Sequence, residues 1–219
     1  MLTQTRRAAV TGGIGLLLMA LLAFVANFVV VEKLVTRGDT AKTAGDILAS
    51  EGLFRLGVAA FVVIVVLDVI VAWALWIFYG PTSVSTFAAW FRIVYSGVFL
   101  VGIIHLFGAL RLAGSDPGLM MSEVDTFFDI WNLGLVLFGA HLLLLAYLTF
   151  KSSYVPTWVG ALLAIAGAGY VVDSIGKVIF AGYQLDIGTV AGFGEVALLV
   201  WLLIQGRRVT IPEDRVQTV

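Results

Sequence analysis

The residues of this sequence best suited to chemistry are ionisable and amide side chains inside long apolar stretches. Such groups are costly in a hydrocarbon environment, tend to face a bundle interior or a water-filled cavity, and commonly mark solute or ion pathways. When the depth of each group is measured along the helices that are predicted below, eight of these side chains fall in one layer near the same end of the bundle. We predict that this layer lines a ligand or ion cavity: Glu51, Arg55, His105, Asp129, Asn132, Asp173, Lys177 and Glu195.

The same residues have a purely structural interpretation. Glu51 and Arg55 are one helical turn apart, as are Asp173 and Lys177, so each pair is expected to form an ion pair within its own helix. Hydrogen bonds between helices in a membrane stabilise by only about 0.6 kcal/mol on average, so scaffolding alone is a weak reason for so many charges. Function and scaffolding both stay open for the layer.

A second, smaller set lies deeper. Asp68 and His141 both fall roughly 20 Å from the end of the helices that carries the layer. We predict that they form a hydrogen-bonded pair if their helices are adjacent. Arg92 is predicted to lie near the opposite end of its helix and to extend its guanidinium to the headgroups.

Several chemistries are excluded or left without support. The chain has no cysteine, which excludes disulfides, iron–sulfur clusters and thiolate zinc sites. The two histidines, His105 and His141, differ in depth by roughly 10 Å, which argues against bis-histidine haem. His105, Asp129 and Glu195 are zinc-ligand types without an HExxH spacing. We therefore assign no cofactor, no metal site and no catalytic residue.

Six apolar helices must position these groups. The chain is 61% hydrophobic and only 12% charged, far from the composition of a soluble domain. Its apolar runs are long enough to cross a bilayer as helices and too continuous for barrel strands. We predict an all-α, polytopic transmembrane bundle forming a single domain over residues 1–219, in contact with lipid, with spans at about 8–31, 53–79, 87–111, 126–150, 157–180 and 189–205.

The orientation is predicted from the basic residues that flank the spans. Arg6, Arg7, Lys151, Arg207, Arg208 and Arg215 fall on one side, and Lys33, Arg37, Lys42 and Arg111 on the other. This bias predicts that both termini lie inside. The first run is too long for a signal peptide and is predicted to be a permanent span. A short interfacial helix is expected over residues 41–51, with Thr40 as its N-cap. The net charge of −1 does not indicate nucleic acid.

Several stretches carry a resemblance to a known family: EGLFRLG at 51–57, AWFRIVY at 89–95, GAHLLL at 139–144, KSSYVPTWVG at 151–160, AGAGYVVD at 166–173, GE at 194–195 and WLLIQG at 201–206. Together they resemble the bacterial integral membrane family catalogued as domain of unknown function 4386. The resemblance implies a multi-pass protein of the bacterial cytoplasmic (inner) membrane. It also implies a recurring pattern, without assigned roles, that includes Glu51, Arg55, Arg92, His141, Asp173 and Glu195.

Three functional hypotheses follow. The first is a non-enzymatic protein that handles a small molecule or ion through the polar layer near the outer membrane face. The second is a helical subunit or scaffold with a homo-oligomeric or membrane-complex partner, because the loops and tail offer little soluble surface. The third is an intramembrane metal-dependent enzyme.

Overall fold

The computed structural model describes residues 2–185, 187 and 192–209, and the regular structure of that part of the chain is helical, with no strand. We label its helices α1 Leu2–Phe24, α2 Thr40–Ala49, α3 Glu51–Tyr79, α4 Ser83–Leu112, α5 Pro117–Lys151, α6 Thr157–Ile179 and α7 Phe193–Ile204. A π-helical segment, Val25–Val31, and a last turn, Glu32–Leu34, continue α1. The predicted all-α class is confirmed.

Five segments are long and apolar enough to cross a membrane: Gln4–Leu34, Glu51–Tyr79, Ser83–Leu112, Pro117–Lys151 and Thr157–Ile179. They correspond to the first five predicted spans. Of the sixth, residues 189–191 lie outside the described residues, and the rest contains the 12-residue apolar helix α7. The protein is therefore a polytopic helical bundle of about six helices, as predicted.

Four helices begin earlier than the hydropathy pattern predicted, and caps at α4 and α5 explain two of these starts. At α5, the Asp116 carboxylate accepts a hydrogen bond from the Leu119 amide (2.9 Å), and Pro117 occupies the first helical position, so the helix begins nine residues before residue 126. At α4, Thr82 and Ser85 each accept from the other's backbone amide, and the helix begins at Ser83 instead of 87. Polar first turns concealed both starts.

A short helix, α2, lies where the interfacial helix was predicted, its interfacial location stays a prediction, and its predicted N-cap is wrong. Asp39, and not Thr40, caps the helix: its side chain accepts from the Lys42 amide at 2.9 Å. Gly38, with φ of +82°, makes the preceding turn that brings Asp39 into place. Lys42 also pairs with Asp46 at 2.6 Å, one turn along the exposed face.

The chain divides into two compact units. Unit 1 comprises Met1–Leu17, Val69–Val94 and Leu135–Val219; unit 2 comprises Leu18–Asp68 and Tyr95–Gly134. The expectation of a single transmembrane domain stays a prediction.

Each unit has its own packing centre. In unit 2, the rings of Phe61, Phe99, Phe127 and Trp131 lie 5.5–6.2 Å apart between centroids. In unit 1, α5 and α6 meet at Gly139 and Gly167, where a Cβ on either residue would lie 2.7 Å from the carbonyl oxygen of the other. Only glycine permits backbones to approach this closely, which is the usual role of small residues between membrane helices.

Candidate functional site

A buried arginine–histidine pair is the most unusual polar feature of unit 1. Arg92 of α4 and His141 of α5 are each only 1% exposed. An Arg92 Nη1 atom lies 3.1 Å from His141 Nε2. The other ring nitrogen, Nδ1, lies 2.8 Å from the carbonyl oxygen of Ala88, one turn before Arg92 on α4. His141 thus joins α5 to one turn of α4 through both of its nitrogens.

These partners define the protonation of the imidazole. A carbonyl oxygen can only accept a hydrogen bond, so His141 Nδ1 carries the proton that it donates to Ala88. A guanidinium can only donate, so Nε2 accepts from Arg92. His141 is therefore the neutral, Nδ1-protonated tautomer, and its one lone pair is directed at Arg92. The arginine keeps its charge because guanidinium does not deprotonate in proteins.

The Phe138 ring packs against both members of this pair. The Arg92 guanidinium carbon lies 5.3 Å from the ring centroid of Phe138, within the range of cation–π attraction. The Phe138 ring also contacts His141 and Tyr170, at centroid distances of 5.7 and 5.8 Å. The guanidinium is thus a permanent positive charge held beside an aromatic ring.

One prediction at this depth needs correction. Arg92 was expected to reach the headgroups, but it is buried and bonded to His141. The cause is the early start of α4: Arg92 lies nine residues, about 13 Å, after Ser83, and only about 8 Å after residue 87. The pairing of Asp68 with His141 stays a prediction, and the two nitrogens of His141 are bonded to Arg92 and Ala88. Asp68 itself lies in unit 2 and is 1% exposed.

In unit 2, His105 pairs with a residue that the sequence analysis missed. Its Nδ1 atom lies 2.6 Å from Glu123 Oε2, and both side chains are partly buried. Glycine at 108 makes room, because a Cβ there would lie 2.9 Å from the same carboxylate oxygen. Glu123 was overlooked because the predicted span began at residue 126, whereas α5 begins at Pro117. The spacing of polar residues after Asp116-Pro117 was the available signal.

The other predicted site residues of unit 2 lie closer to its surface. Arg55 and Glu51 form the expected ion pair within α3, with 2.7 Å between Nη2 and Oε1, and about half of each side chain is exposed. Asp129 is exposed and Asn132 is half-buried.

In unit 1, Asp173 forms a hydrogen bond with Tyr183, a second residue that the sequence analysis did not predict. The Tyr183 hydroxyl donates to Asp173 Oδ1 at 2.8 Å, and Asp173 is buried in α6. The Tyr183 ring packs on Gly176, where a Cβ would overlap it. This hydrogen bond, with smaller contributions from burial and the carboxylate charge, raises the pKa of Tyr183. Lys177 is exposed and Glu195 is half-buried.

A metal centre receives no support from the part of the chain that the structure describes. No group of three or more His, Asp or Glu side chains converges there in a way that could hold an ion.

These observations define a class: a multi-pass, all-helical integral membrane protein with ionisable side chains buried in its spanning helices. Within that class, the chain belongs to the family described as Domain of unknown function (DUF4386), whose model matches residues 11–206. The family resemblance seen in the sequence is thus confirmed. A protein from Archaeoglobus fulgidus, described as an uncharacterized protein, is 37% identical over 149 residues, which are 67% of this chain and 82% of that protein. No solved structure matches the chain.

Proposed function

We propose that this protein handles a small polar solute or ion, and that the Arg92–His141 pair is the element that binds it. The observation that carries the proposal is the burial of both side chains in spanning helices, bonded to each other. Ionisable groups at such positions are expensive and usually mark a solute or ion pathway.

The chemistry of the pair favours an anionic solute. Arg92 is a permanent cation with only donor groups, and its position is held by His141 and Phe138. A neutral imidazole whose Nδ1 is committed to a backbone carbonyl is a poor carrier of protons in this state. The carboxylate or phosphate group of a solute, or a halide, is the complementary ligand for a guanidinium.

Each unit also carries a polar pair near the ends of its helices. With the N-terminus inside, the His105–Glu123 pair and the Asp173–Tyr183 pair belong to helix ends on the outer side. The predicted polar layer stays our proposal for a cavity near the outer membrane face. The family resemblance and the distribution of basic residues support a bacterial cytoplasmic membrane with both termini inside.

Flux measurements test the proposal. The full chain is reconstituted into liposomes, and chloride efflux is followed with an ion-selective electrode while a trapped pH-sensitive dye follows protons. A thermal-shift panel of small carboxylates and phosphates is run in parallel. We expect ligand-dependent flux or stabilisation that Arg92→Gln lowers by about tenfold or more, because a hydrogen bond to a charged group contributes about 1.5–3 kcal/mol.

Arg111→Gln is the matched control. Arg111 lies on the same helix and also lies over an aromatic ring, Phe107 at 5.4 Å, but it is exposed in the last turn. Arg92→Lys retains the charge and covers the case in which Arg92→Gln does not fold. Equal responses in the wild type and both Arg92 variants would contradict the proposal. Loss of every response together with stoichiometric co-purification of a membrane partner would favour the scaffold hypothesis.

A further inference from the structure

An open pocket of about 240 Å³ lies in unit 1, away from the Arg92–His141 pair. It is formed where α3 ends at Tyr79, α4 begins at Ser83 and α5 ends at Lys151. Ends of spanning helices lie at the boundary between hydrocarbon and headgroups. A pocket at these helix ends is therefore expected at the depth of lipid headgroups.

Two of its polar lining residues lie on one face of α5. Lys151 and Tyr147 are one turn apart, both are exposed, and the ammonium nitrogen lies 5.8 Å from the Tyr147 ring centroid. The pocket's other two tyrosines use their hydroxyls internally. Tyr79 shares a hydrogen bond with Thr149 at 2.7 Å, and Tyr154 donates to the Phe78 carbonyl at 3.0 Å.

The surrounding charge favours an anion. Lys151 is the charged residue of the lining. The stretches 69–94 and 135–172, which supply the pocket, contain no aspartate or glutamate. No carboxylate of these stretches would repel a negative ligand. A lysine close to a membrane surface attracts anionic lipid by about 1 kcal/mol.

The pocket also has an apolar side that leads into the membrane. Val84 and Leu148 line it. Phe87, three residues after Val84 on α4, is 53% exposed and packs against the exposed ring of Trp90 at 5.6 Å. On α5, Leu143 lies one turn before Tyr147 and is also exposed. A ligand with a negatively charged head and an apolar tail would fit both the pocket at Lys151 and the apolar surface beside it.

We propose that this pocket binds the phosphodiester of an anionic glycerophospholipid, with Lys151 on the phosphate, Tyr147 beside it, and an acyl chain along Leu143 and Phe87. A lipid phosphodiester and free phosphate both offer anionic oxygen atoms to Lys151. The apolar surface next to the pocket favours the lipid, because a free phosphate gains nothing from it.

Native mass spectrometry of the full chain in detergent tests the proposal. Wild type and Lys151→Gln are titrated with phosphatidylglycerol, with phosphatidylcholine, and with phosphatidylglycerol in the presence of inorganic phosphate. We expect phosphatidylglycerol to bind the wild type more tightly than phosphatidylcholine and Lys151→Gln to weaken it about fivefold, which corresponds to the loss of one lysine at the surface. Millimolar inorganic phosphate should not displace it.

Lys42→Gln is the control, because it removes one exposed lysine that pairs with Asp46 on α2, in unit 2. It should bind phosphatidylglycerol like the wild type. Since Lys151 is exposed, its substitution is not expected to impair folding, and size-exclusion chromatography verifies this. The proposal is overturned if Lys151→Gln and Lys42→Gln bind equally, or if phosphatidylcholine binds as well as phosphatidylglycerol. Displacement by inorganic phosphate would overturn the lipid as the source of the anion.

Discussion

Replacing Gly139 with alanine should separate α5 from α6 and destabilise unit 1. The new Cβ would lie 2.7 Å from the Gly167 carbonyl oxygen and 2.7 Å from Val171 Cγ2, whereas ordinary contact begins at 3.4 Å. The Gly167 oxygen belongs to the backbone and cannot rotate away. The two helices would have to move apart by about 0.7 Å, the difference between these distances.

The magnitude follows from two opposing effects. Overpacking of a close contact costs about 1–3 kcal/mol. Alanine in place of glycine inside a helix stabilises by about 0.8–1.0 kcal/mol, because it restricts the unfolded chain. We therefore expect Gly139→Ala to be destabilising by up to about 2 kcal/mol.

Gly97→Ala isolates the steric cost. Gly97 lies in α4, and a Cβ there would meet nothing within 4 Å. The propensity change is common to both variants, so the difference between them should be the overpacking cost of about 1–3 kcal/mol. Unfolding in mixed micelles, followed by the fluorescence of the six tryptophans, measures this difference. Equal stability of Gly139→Ala and Gly97→Ala would refute the proposed backbone contact.

Two further predictions concern the loops. Tyr183→Phe should lower stability near neutral pH, because it removes the hydrogen bond to Asp173. This bond raises the pKa of Tyr183. Its contribution to stability is therefore complete below the ordinary tyrosine pKa of about 10 and is lost as the pH rises through the raised pKa. Melting curves of wild type and variant should therefore converge at strongly alkaline pH, and a constant gap would contradict the assignment. Because the chain has no cysteine, single Ser153→Cys and Ser115→Cys variants report orientation directly. A membrane-impermeant maleimide should label residue 115 in intact cells and residue 153 only after lysis, and the reverse pattern would invert the proposed topology.

The helix boundaries predicted from the sequence are close to those of the structure where hydrophobicity marks them, and they begin too late where the first turn is polar. Arg92 was placed too near the headgroups because the Thr82–Ser85 cap, four residues before the hydrophobic run, was not counted. Glu123 was left out for the same reason at α5. Hydropathy detects apolar surface, whereas a helix begins where its first amides find a cap.

The pairs within one turn of a helix were accessible to sequence reasoning, and those between helices were not. Glu51 and Arg55 pair as predicted, because i,i+4 neighbours on a helix are adjacent by geometry. His141 is bonded to Arg92, which is 49 positions away in the sequence, and His105 pairs with Glu123, which is 18 positions away. The spacing of residues along one helix does not indicate which residues of another helix lie opposite them.

The sequence by itself determined that this protein crosses a membrane several times as helices, because the apolar runs leave no other way to satisfy the backbone in lipid. It also determined the family. Only the tertiary structure shows that the Arg92 guanidinium and the neutral His141 imidazole are buried together. It alone shows that the Tyr183 hydroxyl donates to Asp173, and that the backbones of α5 and α6 approach closely at Gly139 and Gly167. The physical reason is that hydrophobicity acts along each segment independently, whereas hydrogen bonds and close packing depend on the rotation and register of neighbouring helices.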